Sequence, residues 1–146
     1  MQITLANPTH IPEVVSFFKG NLDSNNSAVY SEEFLCPLGI KASIRRKQMI
    51  VATVEGQVVG AFRFYRKKTQ NKISLYQFAI SEMYRGQGLL IKMLKTINDL
   101  PIISLCPTDS YLNDYYDKSG WYLQEQNEEF NVWILMTEHF FPLSNK

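Results

Sequence analysis

The feature that most constrains this chain is a strand-like segment that runs into a glycine turn and then into a helix. The segment is Phe78-Ala79-Ile80 and the turn is Arg85-Gly86-Gln87-Gly88. Apolar residues recur after the turn at helical spacing, at Leu90, Met93, Leu94, Ile97 and Leu100. In such an arrangement several backbone N–H groups at the helix start converge on one point, and that point binds anions. Glycine adopts a positive φ at low cost and leaves room for a phosphate, so the sequence predicts an anion-binding turn.

Two common phosphate loops do not fit this turn. A Walker loop requires G-x-x-x-x-G-K-[ST], but Lys92 has neither the preceding glycine nor a hydroxyl neighbour. A dinucleotide-binding turn requires G-x-G-x-x-G, and Ile91 occupies the place of its third glycine. A lone R-G-x-G also occurs in purely structural turns, so its meaning depends on the rest of the chain.

The rest of the chain predicts alternating strands and helices. We expect strands at Gln2–Leu5, Gln48–Val54, Gln57–Tyr65, Lys72–Ile80, Ile102–Leu105, Trp121–Gln124 and Val132–Met136. We expect helices from Asn7-Pro8, from Ser31 to about Lys47, from the glycine turn to Pro101, and over Asp109–Lys118, with a loop at Ser24–Ser27. Glu55-Gly56 is typical of a tight hairpin turn, and both tryptophans are predicted to lie in the core.

Size, composition and charge favour one domain that binds a small ligand. The 146 residues are 45% hydrophobic and carry a net charge of +1, which predicts a single domain over residues 1–146 with no field to collect nucleic acid or anionic membrane. The N-terminus resembles no signal peptide, and no apolar stretch approaches the roughly 20 residues that span a bilayer, so we expect a cytoplasmic protein. Cys36 and Cys106 lack C-x-x-C spacing, and no metal site is predicted.

Two segments resemble motifs of the GNAT superfamily of N-acetyltransferases. Residues Phe78 to Leu90 are similar to motif A, [QR]-x-x-G-x-[GA], in which Arg85 and Gly88 match and Leu90 replaces the final glycine or alanine. Leu105-Cys106-Pro107 and the downstream Tyr115-Tyr116-Asp117-Lys118-Ser119-Gly120-Trp121 look like motif B. The spacing of the motifs and the order of elements fit over nearly the whole chain. The resemblance implies a mixed α/β fold, with a mostly antiparallel sheet of about six or seven strands flanked by helices.

The resemblance also implies a cofactor, acetyl-CoA, and a set of site residues. The implied cofactor-binding residues are Phe78, Ala79, Ile80, Arg85, Gly86, Gln87, Gly88, Leu89 and Leu90. In this family the strand before the turn diverges from its neighbour, and the pantetheine arm pairs with strand backbone, here that of Phe78 and Ile80. The N–H of Ile80 is the candidate donor to the thioester oxygen. Tyr116 matches the tyrosine that meets the departing thiolate and is the predicted catalytic residue.

The general base is not assigned by the sequence. An amine with a reference pKa near 10.4 is neutral in only about one molecule in a few thousand at pH 7, so its deprotonation must be assisted. The available groups are Glu55, Glu82, Asp109 and His139, and no spacing ties any of them to the thioester. Ser74, Tyr76 and Gln77 lie along the strand before the turn, where they are placed to relay the proton through water.

The predicted reaction moves an acetyl group from acetyl-CoA to the primary amine of a small molecule or protein, by direct attack in a ternary complex. An alternative is a catalytically inactive CoA-binding or protein-interaction module with the same fold, and another is a different acyl donor or acceptor. Cys106 lacks a histidine to activate it, which favours a buried thiol over an acyl-cysteine intermediate. The apolar tail His139-Phe140-Phe141-Pro142 predicts packing on the domain or against a second subunit, as in a homodimer.

Overall fold

The computed structural model describes residues 1–21 and 36–137, which form a seven-stranded sheet and helices. The strands are β1 (Gln2–Leu5), β2 (Met49–Val54), β3 (Gln57–Arg66), β4 (Ile73–Ile80), β5 (Ile102–Pro107), β6 (Tyr122–Gln126) and β7 (Phe130–Leu135). The helices are α1 (Ile11–Asn21), α2 (Pro37–Arg45), α3 (Leu89–Leu94) and α4 (Leu112–Lys118). The strand order is β1-β2-β3-β4-β5-β7-β6, in which β4 and β5 run parallel and the pairs β1–β2, β2–β3, β5–β7 and β6–β7 are antiparallel. The mixed α/β fold is therefore confirmed.

The chain forms two compact units, and the first comprises Met1–Phe64 and Tyr76–Thr96. A buried hydrophobic cluster in this unit joins α1 and α2 to β2 and β3, with Phe18, Ile40, Ile44, Met49, Val51 and Ala61 among its members. The chain enters α1 through a 3-10 turn at Pro8–His10, for which Asn7 is the N-cap. The Asn7 side chain accepts the N–H of Thr9, and the imidazole of His10 accepts the N–H of Asn7. This capping box confirms the helix start that the sequence predicts.

The hairpin between β2 and β3 has the predicted turn and, in addition, a β-bulge. Glu55 and Gly56 have φ values of 51° and 80°, as in the turns that match the twist of paired strands. The register shifts between Ala52 and Thr53, which leaves one extra residue in β3. The carboxylate of Glu13 in α1 accepts the N–H of Val58 at 2.6 Å, so α1 satisfies a backbone donor beside the bulge.

The second unit comprises Tyr65–Leu75 and Ile97–Lys146 and is organised around β5 and β7. These strands pair over six residues, from Ile102–Leu135 to Pro107–Phe130. Trp121 and Trp133 are both buried, which confirms that the tryptophans belong to the core.

Several predicted boundaries are wrong, each for a local reason. Helix α3 ends at Leu94 instead of reaching Pro101, and beyond it the backbone N–H of Thr96 donates to the carbonyl three residues back, that of Met93, at 3.1 Å, as in a turn. Helix α4 begins at Leu112 rather than Asp109, since the Ser110 hydroxyl accepts the Leu112 N–H in a turn.

The last three strands also differ in detail from the prediction. Strand β5 extends to Pro107, and Leu105, expected to be buried, is 59% exposed. Strands β6 and β7 are shifted to Tyr122–Gln126 and Phe130–Leu135. The loop at Ser24–Ser27, the helix start at Ser31 and the apolar tail lie outside the described residues. No helix of the described part is long and apolar enough to span a membrane.

Candidate cofactor site

The glycine turn has the backbone conformation that the sequence predicts. Gly86 and Gly88 both have φ of 75°, a region that other residues enter at a cost. A Cβ added at either glycine would meet no atom of the described residues within 4 Å, so the backbone conformation, rather than crowding by these residues, favours glycine there. The carbonyl of Gly88 accepts the N–H of Lys92 at 3.1 Å, which starts α3. By helix geometry the N–H groups of the first turn, from Leu89 onward, have no acceptor inside the helix.

Hydrogen bonds within the segment hold the turn in place. A 3-10 turn at Glu82–Tyr84 precedes it, and the N–H of Arg85 donates to the Glu82 carbonyl at 3.3 Å. The side-chain amide of Gln87 donates to the Met83 carbonyl at 2.9 Å. The turn is therefore ordered by its own residues, and Gln87 contributes a structural bond as well as its backbone.

Arg85 points back toward the strand rather than out of the turn. Its Nε donates to the Ile80 carbonyl at 2.9 Å, and Nη2 donates to the Asn21 carbonyl at 3.3 Å. These bonds join the end of β4 to the end of α1 inside the first unit. The sequence predicted that Arg85 supplies a charge and hydrogen bonds to a bound anion. The structure shows in addition that Arg85 helps to order the turn.

Leu90, which departs from the motif pattern, lies in the core. Its side chain is 4% exposed, and it shares the buried face of α3 with Leu89, Met93 and Leu94. The bulky side chain is accommodated by the packing of α3, while its backbone amide remains in the first turn of the helix.

Gly60 in β3 makes that packing possible, and its role was missed from the sequence. A Cβ added there would lie 3.0 Å from Sδ of Met93, 3.2 Å from Cδ1 of Ile80 and 3.5 Å from Cδ2 of Leu89. A side chain at residue 60 would require the ends of the Met93 and Ile80 side chains to shift, so glycine there favours the close approach of α3 to β3. A glycine within the apolar run of β3 was the available signal.

Strand β4 carries the remaining predicted cofactor residues. Ala79 is buried, whereas Phe78 and Ile80 are partly buried. In the described chain the parallel register of β4 with β5 comprises two residue pairs, Ile73–Ile102 and Ser74–Ile103. Phe78, Ala79 and Ile80 lie farther along β4 than these two pairs. Their pairing with a pantetheine arm stays a prediction.

Tyr116, the predicted catalytic residue, lies in the second unit at the centre of an aromatic cluster. Its side chain is 2% exposed, and its ring stacks on Trp133 at 5.7 Å and meets Trp121 edge-on at 5.0 Å. Its hydroxyl lies 2.8 Å from Oγ of Ser104, a buried residue of β5. Burial, partly offset by the Ser104 hydrogen bond, raises the pKa of Tyr116 well above its usual range. The phenol is therefore neutral at physiological pH and can donate a hydrogen bond.

Asn113 anchors the helix that carries Tyr116. Its Oδ1 accepts hydrogen bonds from Nε1 of Trp133 at 2.9 Å and from Nδ2 of Asn131 at 2.8 Å. Its Nδ2 donates to the carbonyls of Pro107 and Ser110 at 2.8 and 2.9 Å. One amide thus fixes the start of α4 against β7 and the end of β5. Neither Asn113 nor Ser104 was singled out from the sequence, because their partners are distant along the chain.

Cys106 has the environment of a structural thiol. It is buried, and burial raises the pKa of its thiol, which disfavours the reactive thiolate. This agrees with the preference for a buried thiol over an acyl-cysteine nucleophile.

Comparison with known proteins identifies the fold. No sequence profile of a protein family matches the chain, and no curated protein matches it by sequence. Its structure is similar to a GNAT-family acetyltransferase from Streptococcus agalactiae (TM-score 0.73, 13% identity, covering 94% of this chain and 95% of that one). It is also similar to the PaiA N-acetyltransferase from Thermoplasma acidophilum in complex with coenzyme A (TM-score 0.68, 13% identity, 92% and 98% covered).

A third similar structure is the diaminobutyrate acetyltransferase EctA from Paenibacillus lautus, in complex with its substrate L-2,4-diaminobutyric acid and coenzyme A. Its TM-score is 0.60 at 14% identity, with 91% and 92% of the two chains covered. At such low identities the similarity concerns the fold. The chain has the fold of the GNAT acetyltransferases, as its two motifs predicted.

Proposed function

We propose that this protein is an acyl-CoA-dependent N-acyltransferase that moves an acetyl group from acetyl-CoA to a primary amine. The observation that carries the proposal is the glycine turn, in which Gly86 and Gly88 both have positive φ at the start of α3, within a GNAT fold. Similar structures are acetyltransferases, and two of those described above contain coenzyme A. The same fold can host other functions, so the site rather than the fold must be tested.

The proposed cofactor contacts are mainly backbone groups. The N–H groups of Gly86 to Leu90 would donate to the pyrophosphate oxygens, and the charge of Arg85 would add a favourable potential although its Nε is bonded to Ile80. The strand backbone of Phe78, Ala79 and Ile80 would pair with the pantetheine arm. In this arrangement side-chain identity would matter little beyond the two glycines, and a leucine at position 90, whose side chain is buried, would leave its backbone N–H for the cofactor.

The proposed chemistry is one nucleophilic displacement. The neutral amine nitrogen attacks the thioester carbonyl carbon, the carbon–sulfur bond breaks, and the sulfur leaves as a thiolate that takes up a proton. The amine nitrogen loses one proton, so the overall reaction is balanced. The Ile80 N–H is the proposed donor to the carbonyl oxygen, which becomes negatively charged in the transition state.

Tyr116 is proposed to stabilise the departing thiolate. A free thiol has a pKa near 8.5, and burial places that of Tyr116 well above the ordinary phenol value, so complete proton transfer to sulfur is unfavourable. Donation of a hydrogen bond is the role that fits such a phenol, with the Ser104 hydroxyl as its partner in the resting protein. The general base remains unassigned.

A second candidate function, a CoA-binding module without catalysis, is favoured by one specific observation. The hydroxyl of Tyr116 is buried and hydrogen-bonded to Ser104, and wherever the phenol is the donor of that bond it must exchange it before it serves a ligand. The two functions agree on cofactor binding and differ in turnover. The acceptor of the enzyme would be a small-molecule amine, as in the EctA structure, or a protein amine, and a homodimer stays a prediction.

Thermal unfolding and thiol release separate these functions. Acetyl-CoA at 100 times its Kd should stabilise the fold by about 2.7 kcal/mol, which raises Tm by several degrees in a domain of this size. Release of CoA thiol should then depend on both the protein and an added amine. Stabilisation without thiol release from any amine of a broad panel would favour the non-catalytic module, and the absence of stabilisation would refute cofactor binding.

A further inference from the structure

Arg63 in β3 has an environment that neither the fold nor the cofactor site explains. Its side chain is partly buried, and its guanidinium carbon lies 4.6 Å from the centre of the Tyr76 ring in β4. The same guanidinium approaches α2 at Gly39, where an added Cβ would lie 3.4 Å from Nη1 and 3.7 Å from Nη2. The guanidinium thus lies close both to an aromatic ring and to a helix residue that lacks a side chain.

Among residues 1–21 and 36–137, no carboxylate lies within ion-pairing distance of the Arg63 guanidinium. There Arg63 makes no ion pair, and its guanidinium donates no hydrogen bond. The first turn of α2 contains no acidic residue, and Cys36, its N-cap, makes no side-chain capping bond. In this part of the chain the charge of Arg63 is stabilised by its cation–π contact with Tyr76.

Two other arginines show what a structural arginine looks like in this protein. Arg66 forms a two-point hydrogen bond with the carboxylate of Asp99, at 3.0 and 3.1 Å. Arg85 donates to two backbone carbonyls. Arg63 is partly buried, whereas Arg66 and Arg85 are exposed, and among the described residues its donors are not used in this way. A planar guanidinium with its donors available is suited to bidentate recognition of a carboxylate.

We propose that Arg63 binds the carboxylate of the acceptor, so that the acceptor is an amino acid rather than a simple amine. This inference rests on the proposed acetyl transfer. Tyr76, which contacts Arg63, lies on the strand that continues to Ile80, the proposed donor to the thioester oxygen. The Cα atoms of Tyr76 and Ile80 are roughly 13 Å apart along the strand, a length that the Tyr76 and Arg63 side chains and the acceptor would cover together, so several bonds separate the reacting amine from the carboxylate. The geometry points to a distal amine, as in an ω-amino acid or a lysine side chain.

The test compares each amino acid with the amine that lacks its carboxylate. L-Lysine is paired with cadaverine, and γ-aminobutyrate with propylamine, in steady-state acetylation by the wild-type protein, Arg63→Gln, Arg63→Lys and the control Arg46→Gln. Arg46 is an exposed arginine at the end of α2, so its replacement removes the same charge elsewhere. Stabilisation by coenzyme A, measured for every variant, shows that each variant is folded with its cofactor site intact.

The expected result is a loss of selectivity that is specific to Arg63. The wild-type protein should prefer the acceptor that carries a carboxylate in each pair. Arg63→Gln should raise the KM for that acceptor by about 10- to 100-fold, the range expected for a lost charge-assisted hydrogen bond. The kcat for that acceptor, and the kinetics of the amine without a carboxylate, should change little. Arg63→Lys should keep part of the preference, because it retains the charge but not the planar fork. Arg46→Gln should behave as wild type.

A second readout distinguishes failure of this inference from failure of acetyl transfer. The NMR resonance of the Arg63 Nε–H should shift when γ-aminobutyrate is added to the CoA-bound protein and should not shift with propylamine. Such a shift without turnover of any acceptor would support the carboxylate site and refute acetyl transfer. Equal selectivity in wild type and Arg63→Gln, or the absence of both selectivity and a shift, would overturn the role of Arg63.

Discussion

Replacement of Gly88 by alanine should weaken both the fold and cofactor binding, and the two effects can be separated. Gly88 has a φ of 75°, where an L-residue with a Cβ is disfavoured by about 1–2 kcal/mol. The added Cβ would meet no protein atom within 4 Å, so steric overlap adds nothing to this cost. We therefore expect Gly88→Ala to lower the free energy of unfolding by about 1–2 kcal/mol, as measured by urea denaturation.

Gly56 offers a matched control for this change. It has a φ of 80°, and a Cβ added there also meets nothing within 4 Å, but it lies in the β2–β3 hairpin turn rather than in the glycine turn. Gly56→Ala should therefore cost a similar free energy of unfolding. Only Gly88→Ala should weaken binding of coenzyme A, because only its methyl group would stand where a phosphate is proposed to approach.

The assay is calorimetric titration of both variants with coenzyme A, below the temperature at which either begins to unfold. Loss of one phosphate-directed N–H contact predicts a weakening of about 10-fold or more for Gly88→Ala and almost none for Gly56→Ala. Equal affinities in the two variants would refute the assignment of the turn to the pyrophosphate. If Gly88→Ala does not change stability, the strain argument itself is wrong.

Three further predictions concern stability and reactivity. Asn113→Ala should lower the free energy of unfolding by about 2–4 kcal/mol in urea denaturation, because the buried indole N–H of Trp133 loses its acceptor and the Asn113 amide no longer donates to the Pro107 and Ser110 carbonyls. A decrease below about 1 kcal/mol would contradict this. Cys106 should react with a thiol reagent in the native protein far more slowly than in urea, because burial raises the pKa of its thiol; equal rates would contradict this. The hydrogen bond from Arg66 lowers the pKa of Asp99. This exposed pair therefore stabilises the fold by at most about 1 kcal/mol at pH values above the unfolded pKa near 3.9, and the stabilisation is lost as the pH falls through the lower pKa of the folded state. Asp99→Asn should abolish only that part of the pH dependence of the unfolding free energy.

Features that depend on adjacent residues were predictable from the sequence. The capping residue Asn7, the hairpin turn at Glu55-Gly56 and the positive φ at Gly86 all follow from local backbone preferences and occur where expected. The apolar spacing of α3 also predicted its buried face. Its end at Leu94 was not predictable from that spacing, because the apolar pattern continues through Ile97 and Leu100 in the turn that follows the helix.

Features that depend on packing between elements were not predictable. Ser104 and Tyr116 are twelve residues apart and meet only because α4 lies against β5. Arg63, Tyr76 and Gly39 come from three different elements, so no spacing in the sequence joins them. The cofactor turn is thus a local motif visible in the sequence, whereas the residues that would position the phenol and select the acceptor depend on tertiary structure.

The most direct test of the central claim is the mass balance of the acetyl group. The protein is incubated with acetyl-CoA and a panel of amines and amino acids, and mass spectrometry measures the acetylated acceptor against the free CoA thiol. Our account predicts equal amounts of the two products from at least one acceptor, with kcat reduced in Tyr116→Phe while coenzyme A still stabilises the fold. No protein-dependent acetylated product from any acceptor, despite binding of acetyl-CoA, would contradict it.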